Sequence, residues 1–255
     1  MKLIIPMAGR GSRFAQTGVS TPKPLIPVAG RPMVAWALDS VRAVPYSDLV
    51  FIALAEHEAE HQVSSVLRSI AGPDVHIVLL DNVTEGQLCT VLAARPWLET
   101  DEDILIGSAD TLVISDIGRH IADRPVQVRG IISAADMPGD RWSFARTNDQ
   151  GRVLAVAEKV RISNHASTGL YYFASGRELL QVADEMIAAG EKTRGEYYVI
   201  PVYQKYIERG WPITISVADE MWDLGTPTSK VNFEQEYGQG RLTKLRREPD
   251  LSSYQ

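Results

Sequence analysis

Arginine and lysine residues accompany two glycines near the first residue of the chain. Arg10 and Arg13 lie beside Gly9 and Gly11, and Lys23 follows between two prolines. The glycines let backbone N–H groups approach phosphate oxygens closely, and arginine can bind phosphate through two parallel hydrogen bonds. Because proline fixes the backbone angle φ, the lysine is held at a defined place, where its charge can stabilise a phosphoryl transition state. The segment predicts phosphate binding.

The spacing of these glycines excludes two other kinds of phosphate loop. The P-loop requires Gly-x-x-x-x-Gly-Lys-Ser/Thr, and no such run occurs in the chain. The dinucleotide-binding fingerprint requires a third glycine, and Phe14 occupies that position after Gly9 and Gly11. A Gly-x-Gly pair alone is also typical of an ordinary turn, so the prediction depends on the two arginines and the lysine.

Two aspartates follow apolar stretches of the sequence. Asp110 ends the run Ile104–Asp110, and Asp223 lies within Met221–Pro227. Mg²⁺ takes hard oxygen ligands, usually one or two carboxylates with phosphate oxygens and water, and it neutralises the charge that develops when a phosphoryl group is transferred. A lone aspartate at such a position is commonly a turn or cap residue. Two of them at strand ends in one α/β domain form a candidate magnesium site.

Apolar strands and amphipathic helices alternate through the first half of the chain. This alternation is the pattern of a parallel sheet covered on both faces, in which ligands bind beyond the carboxyl ends of the strands. The candidate motifs of the first half all lie at such ends. The predicted strands are Lys2–Ile5, Leu49–Leu54, Val75–Leu80 and Ile104–Ile106, and the predicted helices are Met33–Val44, His57–Ala71 and Gly86–Ala94.

The pattern changes in the second half, where strands joined by short turns precede two helices. The residues Asn148–Gly151 are a clear hairpin turn. The predicted strands are Val128–Ala134, Trp142–Thr147, Val153–Ala157, Thr168–Phe173 and Ile213–Val217, and the predicted helices are Arg177–Ala189 and Glu196–Arg209.

Composition excludes several classes of function. The 255 residues suit one large α/β domain, and the formal net charge of -6 disfavours binding to nucleic acid or to an anionic membrane. A single cysteine, Cys89, excludes an intramolecular disulfide and fits a reducing compartment. The first residues do not form a signal peptide, and no apolar run approaches the length of a membrane span. We expect a cytoplasmic protein, and a homo-oligomer stays open.

The segment Pro6–Arg13 together with Pro22-Lys23-Pro24 resembles the signature of the sugar-1-phosphate nucleotidyltransferases, which is Gly-x-Gly-Thr/Ser-Arg followed by Pro-Lys. The resemblance extends to about Pro227. It implies a Rossmann-like three-layer α/β/α domain of the GT-A-like kind, with a mainly parallel mixed sheet. That domain would span residues 1–237, with a nucleotide-binding half at 1–125 and an acceptor-binding half at 126–237, before a polar tail at 238–255.

The resemblance also implies a role for each matching residue. The triphosphate would be held by Arg13 and by the backbone of Ala8, Gly9, Gly11 and Ser12. Lys23 would stabilise the reacting phosphates, and Asp110 and Asp223 would hold Mg²⁺. The loop that contains Asp81 and Gly86 would contact the nucleobase.

On the acceptor side, the resemblance assigns three further residues. Lys159 would contact the phosphate of the incoming metabolite, Glu158 would bind its hydroxyl groups, and Gly169 would lie against the sugar. Side chains with a Cβ would block that approach to the sugar. The pair Glu158-Lys159 is also typical of an exposed strand end, and Gly169 is also typical of a strand bulge.

The implied activity is magnesium-dependent coupling of a nucleoside triphosphate to a sugar 1-phosphate or a similar metabolite, with release of pyrophosphate. The segment Arg141–Ala145 departs from the Gly-Val-Val of many hexose-specific members. The acceptor is therefore open among hexose, modified sugar, heptose and polyol phosphates. We interpret Trp142 and Phe144 in this segment as core strand residues, because they alternate with Ser143.

Two other classes of function are compatible with parts of the sequence. A glycosyltransferase of the GT-A type would also hold a metal, but the run Asp101-Glu-Asp103 precedes its strand and so lies at the wrong end. That class also leaves Arg13 and Lys23 unexplained. A non-enzymatic scaffold with a decayed site would be expected to lose charged site residues, which are present together here.

Overall fold

The computed structural model describes residues 1–242, so most of the predicted tail at 238–255 lies outside the described residues. Short apolar runs bounded by turns form most of the strands. They are β1 (Lys2–Pro6), β2 (Pro27–Val28), β3 (Arg31–Pro32), β4 (Asp48–Leu54), β5 (His76–Leu80), β6 (Ile104–Ile106), β7 (Thr111–Ile114), β8 (Gly130–Ala135), β9 (Ser143–Thr147), β10 (Val153–Glu158), β11 (Ala166–Phe173), β12 (Ile213–Val217) and β13 (Glu220–Asp223).

Helices occupy the connections between these strands. They are α1 (Ser12–Ala15), α2 (Met33–Asp39), α3 (Ala55–His61), α4 (Val63–Ala71), α5 (Gln87–Leu92), α6 (Arg95–Leu98), α7 (Ile117–Ala122), α8 (Gly176–Ala188), α9 (Ile200–Glu208) and α10 (Pro227–Gly238). A short 3₁₀ helix covers Lys23–Leu25. Within residues 1–242, no helix combines the length and the apolar character that a membrane crossing requires.

One mixed sheet contains strands from both predicted halves of the chain. Its main path runs in the order β10-β9-β11-β6-β1-β4-β5, and β8 joins β11 on one side and β12 on the other. Strands β6, β1, β4 and β5 are parallel neighbours, whereas β11 runs antiparallel to β6 and to β8. The carboxyl ends of the parallel strands therefore meet at one edge of the sheet.

Both faces of the sheet are covered, as a parallel sheet requires. Successive residues of β1 point to opposite faces, so that Ile4 joins one apolar cluster while Leu3 and Ile5 join another. The first cluster includes residues of α5, α8 and α9, and the second includes residues of α2, α4 and α7. This arrangement confirms the α/β fold with a parallel core and helices on both faces.

Most predicted elements are present, but several predicted helices have different bounds. The helix predicted over Met33–Val44 ends at Asp39, and the backbone continues to Val44 in turns. The helix predicted over His57–Ala71 is wrong as a single element: it divides into α3 and α4 at Gln62, whose φ is +50°. The left-handed backbone there interrupts the helix although the apolar spacing continues. The helix predicted over Glu196–Arg209 begins instead at Ile200, with Pro201 in its first turn.

A third apolar cluster lies beside the main sheet and supports the edge where β7 and β13 pair. Trp36 of α2 packs edge-on against Phe233 of α10, with ring centroids 5.1 Å apart. Leu112 of β7 and Leu224, which follows β13, are buried in the same cluster. Helix α10 begins with a capping box at Thr226, directly after the candidate site. The cluster therefore fixes the strands that carry the two candidate metal ligands.

Candidate active site

A cavity of about 430 Å³ opens at the carboxyl edge of the parallel strands. We call it the larger cavity, to distinguish it from the smaller of the two cavities that Lys23 and Asp110 line. It brings together five residues that are far apart in the sequence and that the sequence predicted as site residues. They are Arg13, Lys23, Asp110, Lys159 and Asp223.

Pairing between β7 and β13 brings the two candidate metal ligands to one place. The strands are antiparallel, and Asp223 lies opposite Thr111, which follows Asp110 directly. The backbone N–H of Leu224 donates to the carbonyl of Asp110 over 2.8 Å. The backbone register therefore sets the separation of the two aspartates.

Gly225 lies at the point where the charged side chains converge. A Cβ at this position would come within 2.6 Å of Asp110 Oδ2, 3.0 Å of Asp223 Oδ1 and 3.1 Å of Lys23 Nζ. These distances are shorter than normal contacts of a methyl group, so a glycine is required for the side chains to converge here. The space over Gly225 is therefore a cradle bounded by two carboxylates and one ammonium.

The carboxylate of Asp110 is held by several donors. Lys23 forms an ion pair with Oδ2, while Ser108 and Thr111 donate to Oδ1 over 2.6 Å and 3.2 Å. Burial by itself would raise the pKa of this carboxyl, but the charge of Lys23 and the three hydrogen bonds outweigh burial and lower the pKa to about 2. Asp110 is therefore ionised at neutral pH and is oriented with Oδ2 toward Lys23.

Asp223 is also held on both oxygens. The backbone N–H of Gly225 donates to Oδ1 over 2.9 Å, and Arg141 donates to Oδ2 over 2.7 Å. Among the described residues, no group of three metal-ligating side chains is present. Two converging carboxylates beside an open cradle nevertheless fit Mg²⁺, which usually takes one or two protein carboxylates and completes its shell with phosphate oxygens and water.

A second cavity of about 220 Å³, the smaller cavity, lies over the glycine-rich loop and is lined by Gly9, Gly11, Ser108 and Gln87 among others. Lys23 and Asp110 line this cavity as well as the larger one. The two cavities therefore meet at the Lys23–Asp110 ion pair.

Gly11 packs closely against Lys23 within the glycine-rich loop, and phosphate binding by this loop stays a prediction. Gly11 has a φ of +60°, and a Cβ there would lie 2.8 Å from Cβ of Lys23, so only glycine suits this position. At Gly9 a Cβ would meet nothing within 4 Å, so this residue is open toward solvent. Ala8 is buried at the end of β1, whereas Ser12 is exposed at the start of α1.

Lys159 and Glu158 end strand β10 at the other side of the larger cavity. Lys159 has a φ of +54°, and its Nζ donates to the Tyr198 hydroxyl over 2.5 Å. Glu158 is buried and accepts a hydrogen bond from Ser143. Burial raises the pKa of Glu158, and the hydrogen bond and the charge of Lys159 only partly offset it. The turn directs the lysine into the cavity while the glutamate stays behind it.

Six predicted site residues line neither cavity, namely Ala8, Ser12, Asp81, Gly86, Glu158 and Gly169. Asp81 is exposed in the loop after β5. Gly86 has its Cα against the backbone of Tyr197, so packing alone explains this glycine, and its contact with a nucleobase stays a prediction. Gly169 has a φ of +87° at an irregularity in β11, where a Cβ would meet Ser108 at 3.3 Å. The strand bulge considered as an alternative is therefore present.

The structure adds residues to the larger cavity that the sequence did not assign to it. They are Thr111, Asp140, Arg141, Trp142, Arg194 and Gly225. The interpretation of Trp142 as a core strand residue is wrong: it precedes β9, is half-buried and lines the cavity, whereas Phe144 is fully buried. The sequence did carry a signal for Gly225, because the run Gly225-Thr-Pro227, typical of a turn, follows Asp223 closely. Arg141 and Arg194 lie in loops whose position depends on the folded chain.

Comparison with known proteins places the chain in a family of enzymes that transfer nucleotidyl groups. The model of the MobA-like NTP transferase domain matches residues 3–142, which is more than half of the chain. The chain belongs to this family and is a nucleotidyltransferase. This result confirms the predicted class of enzyme, and nothing in it favours the glycosyltransferase or scaffold alternatives.

Curated relatives and solved structures agree with this assignment. The bifunctional protein GlmU of Burkholderia mallei (strain SAVP1) is 27% identical over 248 residues, covering 92% of this chain and 51% of GlmU. The chain thus spans about half the length of the curated relatives it matches. A nucleoside-diphosphate-sugar pyrophosphorylase from Vibrio cholerae RC9 is 27% identical with a TM-score of 0.79, covering 91% of this chain and 99% of the other.

A second solved structure supports the fold alone. It is a Bacillus anthracis protein in complex with a sucrose, and it is 20% identical with a TM-score of 0.77. The match covers 99% of this chain and 97% of that one. The mixed sheet with its parallel core is therefore the fold of known nucleotide-sugar enzymes and their structural neighbours.

Proposed function

We propose that the protein couples a nucleoside triphosphate to the phosphate of a small metabolite, with Mg²⁺, and releases pyrophosphate. One observation carries this proposal: the smaller and larger cavities meet at Lys23 and Asp110. A reaction that joins two phosphorylated substrates requires two adjacent sites with the charge-stabilising groups between them.

The smaller cavity suits the nucleotide. Gly9 and Gly11 leave backbone N–H groups accessible there, and Gln87 presents an amide that can hydrogen bond to a base. This side corresponds to the nucleotide-binding half that we propose for residues 1–125. Arg13 lines the larger cavity and forms no ion pair with another described residue, so its guanidinium is available to phosphate oxygens near the meeting point.

The larger cavity suits the acceptor. Lys159 and Arg194 line it, and both belong to the half at residues 126–237 that we propose for acceptor binding. Arg194 also donates to the carbonyl of Lys159 over 3.1 Å, which fixes the turn that directs the lysine. Buried Glu158 lies behind Lys159 and can accept hydrogen bonds from hydroxyl groups of the acceptor once Ser143 is displaced.

The reaction is an in-line attack of an acceptor phosphate oxygen on the α-phosphorus of the triphosphate. The bond between α- and β-phosphates breaks, and pyrophosphate leaves with the electron pair. Lys159 orients the attacking phosphate, and Arg13 and Lys23 stabilise charge on the transferring group. Asp110 and Asp223 would hold Mg²⁺, which when bound neutralises charge on the phosphate oxygens. No covalent intermediate with the protein is needed.

We further propose that the acceptor is a sugar 1-phosphate or a close analogue. The relative from Vibrio cholerae is described as a nucleoside-diphosphate-sugar pyrophosphorylase, and the match extends over 91% of this chain, including the proposed acceptor half. A polar larger cavity with Lys159, Arg194 and Asp140 offers several groups that can bind sugar hydroxyls and a phosphate.

The test is pyrophosphate release with Mg²⁺, for four nucleoside triphosphates against a panel of phosphorylated sugars and polyols. The proposal predicts release for one combination, abolished in Asp110→Ala and retained in Asp101→Ala. Asp101 is a matched control because it is highly exposed and pairs with Arg177 outside both cavities. Triphosphate binding without release against any acceptor of the panel would count against a sugar 1-phosphate acceptor.

A further inference from the structure

Arg141 lies in the connection between β8 and β9 and reaches across the larger cavity to β13. Its guanidinium donates to Asp223 Oδ2 over 2.7 Å. It also stacks on the ring of Trp142, 4.2 Å from the ring centroid. The side chain of Arg141 is 47% exposed, whereas that of Asp223 is only 12% exposed. The arginine thus covers the carboxylate from the solvent side.

This ion pair competes with metal binding. Asp223 already accepts from the backbone N–H of Gly225 on its other oxygen, so Arg141 occupies the oxygen that is not used by the backbone. A divalent cation at this carboxylate would repel the guanidinium, because like charges a few ångströms apart are unfavourable in a partly buried site. When Asp223 holds a metal ion, the guanidinium of Arg141 is therefore expected to pair with another anion.

A second anion is available on the acceptor side. Arg141 lines the larger cavity together with Lys159 and Arg194, and it does not line the smaller cavity over the glycine-rich loop. An arginine fork matches the geometry of a phosphate and binds it more strongly than a neutral group does.

The contacts of Trp142 suit such an exchange. Its indole N–H donates to the carbonyl of Pro138 over 3.1 Å, which fixes the ring at the side of the cavity. A guanidinium can stay stacked on a fixed aromatic ring while its N–H groups change partner. The ring therefore keeps Arg141 close to both anions.

This proposal rests on the function proposed above: we propose that Arg141 binds the acceptor, and that its guanidinium changes its partner from Asp223 to the acceptor phosphate. In the protein without substrates, Arg141 neutralises Asp223 and weakens its binding of a divalent cation. When metal and triphosphate occupy the site, the guanidinium is released and binds the acceptor phosphate beside Lys159. The acceptor thus binds with higher affinity after the metal–triphosphate complex.

The first test is direct binding of Mn²⁺ to the protein without nucleotide at low ionic strength, measured by electron paramagnetic resonance. Arg141→Ala should bind Mn²⁺ about two- to fivefold more tightly than the unchanged protein, as expected for loss of a half-exposed ion pair. Arg141→Lys should stay near the unchanged protein. Arg177→Ala removes an arginine from an exposed ion pair with Asp101 outside both cavities and should have no effect. Equal affinity in Arg141→Ala would overturn the proposal.

The second test is the Michaelis constant of each substrate. Arg141→Ala should raise KM for the acceptor by about ten- to a hundredfold, as for loss of a charge-assisted hydrogen bond, while KM for the triphosphate stays within a few-fold. A larger rise for the triphosphate than for the acceptor would contradict the proposal. Because the Mn²⁺ titration uses no substrate, its outcome is readable even if the proposed reaction is wrong.

Discussion

Replacing Gly225 with alanine tests whether the cradle between the aspartates is the reaction centre. The glycine has no positive φ, so alanine fits the backbone. Its methyl group would lie 2.6 Å from Asp110 Oδ2, 3.0 Å from Asp223 Oδ1 and 3.1 Å from Lys23 Nζ. Ordinary contacts of a methyl carbon with such atoms are longer by roughly half an ångström or more. The three side chains must therefore move apart.

The expected loss of activity follows from this displacement. A misplacement of about 1 Å at a reaction centre costs on the order of a hundredfold in rate, which corresponds to about 2.7 kcal/mol in the activation free energy. The cost to folding should be smaller. The cradle opens to the larger cavity, so side chains can move into solvent rather than into a packed core. We expect a decrease in stability of about 1 kcal/mol, or roughly 2–4 °C in Tm.

The assay compares pyrophosphate release and thermal unfolding for Gly225→Ala and for Gly238→Ala. Gly238 ends α10, and a Cβ there would meet nothing within 4 Å, so this control should keep full activity. Gly225→Ala should lose about a hundredfold in kcat while remaining folded. Turnover close to that of the unchanged protein would refute the location of the reaction centre at Gly225.

Two further predictions concern the ion pair between Lys23 and Asp110. In the pyrophosphate assay, Lys23→Ala should lower kcat at least about a hundredfold, because Lys23 lies where both cavities meet. Lys205→Ala is the control and should leave kcat unchanged, because it removes an ion pair with Glu191 outside both cavities. The pKa of Asp110 falls from 3.8 to about 2 on folding, so its ionised form stabilises the fold above about pH 4 and this contribution is lost as pH falls toward 2. The contribution is about 2 kcal/mol. In urea unfolding, the free energy of unfolding of Asp110→Asn should fall less steeply with decreasing pH over that range than that of the unchanged protein. An equal slope for the two proteins would contradict the assigned ion pair.

Much of the sheet could be predicted from the sequence because its strands are continuous apolar runs. Strands β1, β4 and β6 are buried on both faces, which gives a signal that does not depend on neighbours in space. The need for a glycine at position 11 follows from local geometry as well, since Gly11 has a positive φ and lies against Lys23. Features of this kind can be predicted because they depend on residues that lie close together in the sequence.

The ladder of β7 and β13 could not be predicted in the same way. Glu220–Asp223 is half-buried throughout, and Thr111–Ile114 has only four residues, so neither shows a strong period. This ladder nevertheless decides that Asp110 and Asp223 meet. The sequence indicated their association through their positions at strand ends and through resemblance to a family, and not through the ladder itself. Arg141 and Trp142 were missed because a loop between strands gives no signal of the cavity it faces.

Gly86 and Gly225 show that the type of a residue alone does not predict its role. Both residues are glycines beside predicted site loops. The Cα of Gly86 packs against the backbone of Tyr197, whereas that of Gly225 faces three charged side chains. The same residue type thus serves packing at one position and the candidate site at the other, and only the folded chain separates the two cases.

In the proposed reaction, the nucleotidyl group is transferred with its α-phosphate to an acceptor phosphate. The most direct measurement uses a nucleoside triphosphate labelled with ³²P at the α-phosphate, incubated with protein, Mg²⁺ and the acceptor found in the screen. We predict that the label appears in a new product that resists phosphatase, and that a label at the γ-phosphate appears in pyrophosphate instead. An α-label that stays in free nucleotide while the acceptor is consumed, or a γ-label found in the product, would contradict it.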